Sequence, residues 1–131
     1  MLPRIVLTFS AREKLALLLS LLRGETGSDL LEFLDQEVAR ADLVGDQELE
    51  ARIAAPGRLL RFRDNLLAVE RQATLTYPGQ EFQIPDGLSV LTPEGACLIG
   101  LSEGQSMQYW QDSKVVCDVT LCSVLGPAPV H

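Results

Sequence analysis

Histidine, cysteine and aromatic side chains are scarce in this sequence of 131 residues, which has one His, three Cys, four Phe, two Tyr and one Trp. The single histidine, His131, is the last residue, where fraying is expected to prevent positioned acid–base chemistry. The sequence also lacks a G-x-S-x-G nucleophile motif, a phosphate-binding P-loop and a G-x-G-x-x-G fingerprint. It therefore predicts a protein that is not an enzyme, with no catalytic residue, metal ion or cofactor.

The three cysteines, Cys97, Cys117 and Cys122, cannot all pair, and no C-x-x-C or Cys/His cluster has zinc-site spacing. Because Cys117 and Cys122 are five residues apart, they would point to opposite faces of one strand and could not form a disulfide. We interpret all three as small buried apolar residues. This cysteine usage favours a reducing compartment, the cytoplasm.

Long apolar runs are missing as well. The longest run, Leu15–Leu22, is interrupted by Ser20 and is far shorter than the roughly 20 residues of a membrane span. The first residues lack the apolar core of a signal peptide, so we expect no secretion and no membrane contact. Positive charge is also in deficit, with 11 Lys and Arg against 18 Asp and Glu and a net charge of −7. Such a charge repels phosphates and argues against stable, sequence-specific DNA binding by the protein alone.

The first half of the sequence has the apolar spacing of helices. Ser10 and Glu13 form a capping-box pattern, which predicts a helix over residues 11–23 that ends near Gly24. A second helix is predicted after Ser28 or Asp29. The apolar residues of both helices recur at helical spacing: Leu15, Leu18, Leu19 and Leu22, then Leu31, Leu34, Val38 and Ala41. The short link predicts an antiparallel helical hairpin, a short coiled coil, within residues 1–55; residues 42–52 are predicted to form a third short helix or a loop.

The second half changes to the alternating pattern of strands, most clearly in residues 67–77 and 115–125. Thr92, Pro93 and Glu94 have the order of an N-cap, a first-position proline and a first-turn acid, which predicts one short helix. We therefore predict an α+β fold in which residues 56–131 form an antiparallel sheet with one short helix.

Charged residues suggest two candidate surfaces. Eight acids lie between residues 29 and 50: Asp29, Glu32, Asp35, Glu37, Asp42, Asp46, Glu48 and Glu50. They are typical of a solvated helix face, and they could also dock a basic partner. Asp29 and Glu32, one helical turn apart, could alternatively hold Mg²⁺. The basic residues Arg58, Arg61, Arg63 and Arg71 are interpreted as a solvated strand face or a contact with an acidic partner.

One segment carries a specific resemblance. Residues 88–101 read LSVLTPEGACLIGL, and they are followed by Glu103-Gly104-Gln105-Ser106 and Tyr109-Trp110. This segment resembles the C-terminal domain of the bacterial Gre transcript-cleavage factors, in which a strand is followed by Ser/Ala-Pro-x-Gly-x-Ala-Leu-Leu-Gly-Leu. With residues 34–41, 60–64 and 76–78, the chain most resembles the short family members called regulators of nucleoside diphosphate kinase, over roughly residues 28–125.

The resemblance implies an FKBP-like C-terminal domain that docks on the rim of the secondary channel of RNA polymerase. The Asp-Ser-Pro loop that makes this contact in Gre factors corresponds to Leu91, Thr92 and Pro93 here. It also implies a hairpin tip formed by Glu25, Asp29 and Glu32. Since a helix over residues 11–23 would span only about 20 Å, the tip would be much shorter than a Gre coiled coil.

The resemblance therefore predicts a non-enzymatic transcription regulator, in the cytoplasm, that binds RNA polymerase and competes with other channel factors. One alternative is an accessory cleavage factor that delivers Mg²⁺ through Asp29 and Glu32. Another is a protein-interaction module unrelated to transcription, since fold alone does not settle function. A prolyl isomerase, the enzyme that shares the implied fold, is disfavoured because such enzymes line their pocket with aromatic residues, which are few here.

Overall fold

The computed structural model describes residues 2–22 and 29–127. Its elements follow one another as β1 (Val6–Thr8), α1 (Phe9–Leu22), α2 (Asp29–Arg40), β2 (Asp42–Val44), β3 (Arg58–Asp64), β4 (Val69–Thr76), a 3₁₀ turn (Gln80–Phe82), β5 (Gly87–Ser89), α3 (Pro93–Leu98), β6 (Ser106–Gln111) and β7 (Lys114–Pro127). The predicted α+β class is confirmed. The predicted turn at Gly24 lies outside the described residues.

The main sheet has five strands in the order β5-β4-β3-β7-β6. The pairs β4–β3, β3–β7 and β7–β6 are antiparallel, whereas β5 pairs with β4 in parallel. The prediction of an antiparallel sheet is therefore wrong at this edge. The physical reason is the connection: residues 77–86 turn back across the end of β4, so that β5 enters the sheet in the same direction as β4.

Two short strands were missed by the sequence analysis. Residues 42–44, predicted to belong to a short helix or a loop, form β2, which pairs in parallel with β1 from Val6↔Asp42 to Thr8↔Val44. A strand of three residues is too short to show an alternating pattern. Both helices also separate β2 from its partner β1 in the sequence, so no local pattern indicates the pairing.

The first helix starts two residues earlier than predicted. Helix α1 begins at Phe9, and the Oγ1 atom of Thr8 accepts a hydrogen bond from the Ala11 amide at 3.1 Å. Thr8 is thus the capping residue. The predicted capping box of Ser10 and Glu13 is wrong, because Ser10 is already inside the helix, where its amide donates to Asp46 at 3.4 Å.

Both helices contribute to the hydrophobic core. Leu15 of α1 and Leu34 of α2 are fully buried in the same apolar cluster as Phe62 of β3. The ring of Phe33 in α2 lies 5.0 Å from that of Tyr109 in β6. The two helices contact each other, α1 also contacts β1, and α2 also contacts α3, so the pair is anchored in the core of the protein. The boundary between residues 1–55 and 56–131 stays a prediction, and one hydrophobic core spans both sides of it. Among the described residues, no helix combines the length and the apolar character needed to cross a membrane.

Candidate functional site

The predicted docking residues Leu91, Thr92 and Pro93 form the turn between β5 and α3. Strand β5 is an edge strand, and Val90, directly after it, is fully buried and donates its amide to the Thr76 carbonyl at 2.9 Å. From this anchor the chain emerges at the surface, where Leu91, Thr92 and Pro93 are all half-buried. The turn is thus presented to solvent from a fixed base. We call residues 91–93 the docking turn.

Hydrogen bonds from Thr92 hold the docking turn in one conformation. Its Oγ1 atom donates to the Ser89 carbonyl at 2.7 Å and accepts from the Gly95 amide at 3.0 Å. The Thr92 amide donates to the same Ser89 carbonyl at 3.1 Å, and the Leu91 amide donates to the Ser89 hydroxyl at 3.1 Å. The predicted helix start is confirmed, with Thr92 as N-cap and Pro93 in the first helical position.

Gly95 permits the close approach of α3 to strand β5. A Cβ atom placed on Gly95 would lie 2.1 Å from the Ser89 carbonyl oxygen, far inside van der Waals contact. Since the obstructing atom is backbone, it cannot rotate away. Sequence analysis gave Gly95 no role beyond the family pattern, because the contact involves a carbonyl six positions earlier.

An ion pair links the first turn of α3 to the sheet. Arg71 of β4 lies 3.5 Å from the Glu94 carboxylate, and its guanidinium carbon lies 5.4 Å from the centre of the Phe62 ring. Arg71 therefore does not belong to a free basic surface, as one reading of the sequence proposed. Arg58 is also engaged, since it donates to the carbonyls of Glu50 and Ile53 at 2.7 and 2.8 Å. The predicted shared face of Arg61 and Arg63, opposite the buried side of β3, is confirmed.

The predicted tip residues are described only in part. Asp29 and Glu32 are exposed in the first turn of α2, where carboxylates favourably oppose the helix dipole. Glu25 lies outside the described residues. Within residues 2–22 and 29–127, no three Asp, Glu, His or Cys side chains are grouped so that they could hold a metal ion.

One of the eight acids has a structural role that the sequence did not reveal. Glu37 is almost fully buried, and both its carboxylate oxygens accept hydrogen bonds from Arg40 at 2.6 Å. Arg40 also donates to the Pro3 carbonyl at 2.7 Å, so the pair fastens α2 to the N-terminal segment. The prediction of a solvated face is wrong for Glu37, whereas the other seven acids are exposed.

Two of the three cysteines are buried as predicted, whereas Cys122 is only half-buried. Cys97 and Cys117 are buried, Cys122 lies on the other face of β7, and none of the three forms a disulfide. A hydrogen bond with Cys117 and burial both raise the pKa of the Cys97 thiol, so it stays protonated and poorly nucleophilic. The interpretation of Cys97 and Cys117 as core residues is confirmed. Elsewhere, burial and then the charge of Asp46 raise the pKa of Tyr77.

Comparison with known proteins places these features in a family context. No family model matches the sequence. The proteins named regulator of nucleoside diphosphate kinase from Escherichia coli (strain K12) and from Shigella flexneri are each 28% identical to this chain over 109 residues. That match covers 83% of this chain and 79% of each relative.

A solved structure gives a consistent result. The prokaryotic transcription elongation factor GreA/GreB from Nitrosomonas europaea is 28% identical to this chain and superimposes with a TM-score of 0.68. The superposition covers 93% of this chain and 98% of that protein. The resemblance to Gre-type factors and to regulators of nucleoside diphosphate kinase is therefore confirmed; it was predicted from residues 88–110 together with residues 34–41, 60–64 and 76–78.

Proposed function

We propose that this protein is a non-enzymatic transcription regulator that binds RNA polymerase at the rim of its secondary channel and competes there with Gre-type factors. The similarity to a GreA/GreB elongation factor over almost the whole chain supports a role in transcription. The observation that carries the docking site is the rigid, half-exposed docking turn, held by three hydrogen bonds to the Ser89 carbonyl and hydroxyl.

A turn with fixed geometry suits protein recognition because little conformational entropy is lost when it binds. Leu91 offers an apolar side chain and Pro93 a rigid ring, while Thr92 directs its own hydroxyl inward to the Ser89 carbonyl. On this account Leu91 and Pro93 make most of the contact with the polymerase, and Thr92 positions them.

The length of the helices limits what the protein can do inside the channel. Helix α1 has 14 residues and α2 has 12, so they span about 21 and 18 Å at roughly 1.5 Å per residue. Both also contribute to the hydrophobic core. The tip residues Glu25, Asp29 and Glu32 would therefore stay near the channel entrance, where they block access without reaching the RNA end.

The remaining details of the proposal follow from this mode of action. We assign residues 56–131 an FKBP-like arrangement, which the sheet packed against α3 supports. Binding to RNA polymerase would place the protein in the cytoplasm. Any effect on nucleoside diphosphate kinase would be indirect, through expression. The alternative, delivery of Mg²⁺ by the exposed Asp29 and Glu32, is supported only by their spacing of one turn.

The docking turn can be tested without altering its exposed side chains. Thr92→Ala removes the hydroxyl that bridges Ser89 and Gly95, so the turn loosens and affinity for core RNA polymerase should fall about tenfold, which corresponds to ~1.4 kcal/mol. Thr92→Ser keeps the hydroxyl and should retain nearly full affinity. Affinity is measured by surface-immobilised binding to core polymerase. Equal binding by both variants and the parent protein would show that the Thr92 hydroxyl does not position Leu91 and Pro93 for binding.

A further inference from the structure

The outer face of the β6–β7 hairpin carries the only tryptophan of the sequence. The indole of Trp110 is 56% exposed, and its Nε1 atom donates a hydrogen bond to the Gln108 side chain at 3.2 Å. Gln108 in turn donates through Nε2 to the Asp118 carboxylate at 2.9 Å. A continuous chain of hydrogen bonds thus fixes the indole relative to a carboxylate on the neighbouring strand.

Asp118 is also held from its other side. Its Oδ1 atom accepts a hydrogen bond from the side-chain amide of Asn65 at 2.9 Å, and the same side-chain amide donates to the Thr120 hydroxyl at 3.0 Å. A shallow surface cleft of about 610 Å³ lies beside these groups, and it is lined by Leu2, Asn65, Ser106, Met107, Gln108, Trp110 and Asp118. We call this the Trp110 cleft. Its polar groups are ordered before any partner arrives, which lowers the entropic cost of binding.

The charge of Asp118 has no cationic partner within the described part of the chain. Both carboxylate oxygens accept hydrogen bonds from neutral amides, and none of the ion pairs among residues 2–22 and 29–127 includes Asp118. The nearest cation by strand register is Arg63, opposite Thr120 on β3, and it is exposed and forms no ion pair with Asp118. A carboxylate has about four lone-pair sites, so acceptor capacity remains.

We propose that the Trp110 cleft binds an arginine side chain from a basic segment of a protein partner. A guanidinium group stacks favourably on an indole face and pairs with a carboxylate, and the cleft offers both groups in fixed positions. The net charge of −7 would attract a basic segment over longer distances. The cleft lies on β6, at the opposite end of the strand order from β5 and the docking turn. It therefore provides a second surface that does not depend on the proposed function.

Because the chain has a single tryptophan, its fluorescence reports directly on the cleft. The full-length protein is titrated with the capped peptide Gly-Arg-Gly-Arg-Gly and with the same peptide carrying neutral citrulline in place of arginine. We expect a saturable change in tryptophan emission with the arginine peptide only. Asp118→Asn should weaken this binding about tenfold, because it removes the charge and keeps the shape.

Asp112→Asn is the matched control. It removes the same charge from the same hairpin at an exposed position, and asparagine tolerates the left-handed backbone found there, with φ of 52°. Its affinity for the peptide should change by less than about twofold. Equal weakening in both variants, or equal binding of the citrulline peptide, would overturn the proposal, as would no saturable binding at all. If Asp118→Asn unfolds the protein, the Trp110→Leu variant is used instead. Its binding to the arginine peptide is measured by calorimetry and must be weakened.

Discussion

Replacement of Glu37 by alanine is expected to lower the free energy of unfolding by about 2–4 kcal/mol, because it breaks a largely buried ion pair. The carboxylate is almost fully buried and accepts two hydrogen bonds from Arg40. Its loss would leave the guanidinium, among the residues that the structure describes, with the Pro3 carbonyl as its remaining acceptor. The measurement is equilibrium unfolding in urea, which reports the free energy directly.

Asp35→Ala is the control for this prediction. Asp35 lies on the same helix and is exposed, so its removal should change stability by no more than about 0.5 kcal/mol. If both variants lose the same small amount, Glu37 is an ordinary surface acid and its pairing with Arg40 adds nothing to the attachment of α2.

The second large effect is expected for Gly95→Ala. The new methyl group would lie 2.1 Å from the Ser89 carbonyl oxygen, so the start of α3 must move away from β5. Such a backbone displacement in a packed region should cost about 1–3 kcal/mol. It would also break the hydrogen bond from the Gly95 amide to Thr92, so binding to RNA polymerase should weaken together with stability. Thermal unfolding and polymerase binding are measured on the same preparation.

Glu94→Ala provides the comparison. It removes the partly exposed ion pair with Arg71 and leaves the contact between Gly95 and Ser89 intact, so it should cost less than about 1 kcal/mol. A Gly95→Ala protein as stable as the parent, with unchanged polymerase affinity, would show that the close approach does not shape the docking turn.

The features that were predicted from the sequence depend on neighbouring residues. Thr92, Pro93 and Glu94 specify the start of α3 through a hydroxyl cap, a preset φ and a favourable charge, all within three positions. The opposite exposure of the neighbouring residues Tyr109, which is buried, and Trp110, which is exposed, is an equally local property of a strand. The long strands and both helices were found for the same reason.

The features that were missed depend on residues far apart in the chain. The β1–β2 pair joins segments separated by two helices, and the Asn65 amide meets Asp118 from 53 positions away. The burial of Leu15 and Leu34 in the core that they share with the sheet likewise follows from tertiary contacts. Helical periodicity identifies an apolar face, but it does not reveal whether the other helix or the sheet covers that face.

The short helices limit how far the tip acids can reach. In the proposed binding mode, helices of 14 and 12 residues that are anchored in the core would not extend deep into the channel, so Asp29 and Glu32 would stay close to the body of the protein. Occupancy of the channel rim requires only the docking turn and a rigid body behind it. The account therefore predicts that the protein inhibits other channel factors and does not itself stimulate RNA cleavage.

The most direct test measures RNA length in backtracked RNA polymerase complexes to which this protein and a Gre factor are added together and separately. The account predicts that the protein alone shortens no RNA and that increasing amounts suppress the shortening caused by the Gre factor. Undiminished Gre activity at saturating protein would contradict polymerase rim binding. Shortening by this protein alone that is lost in Asp29→Ala would instead establish the cleavage-factor alternative.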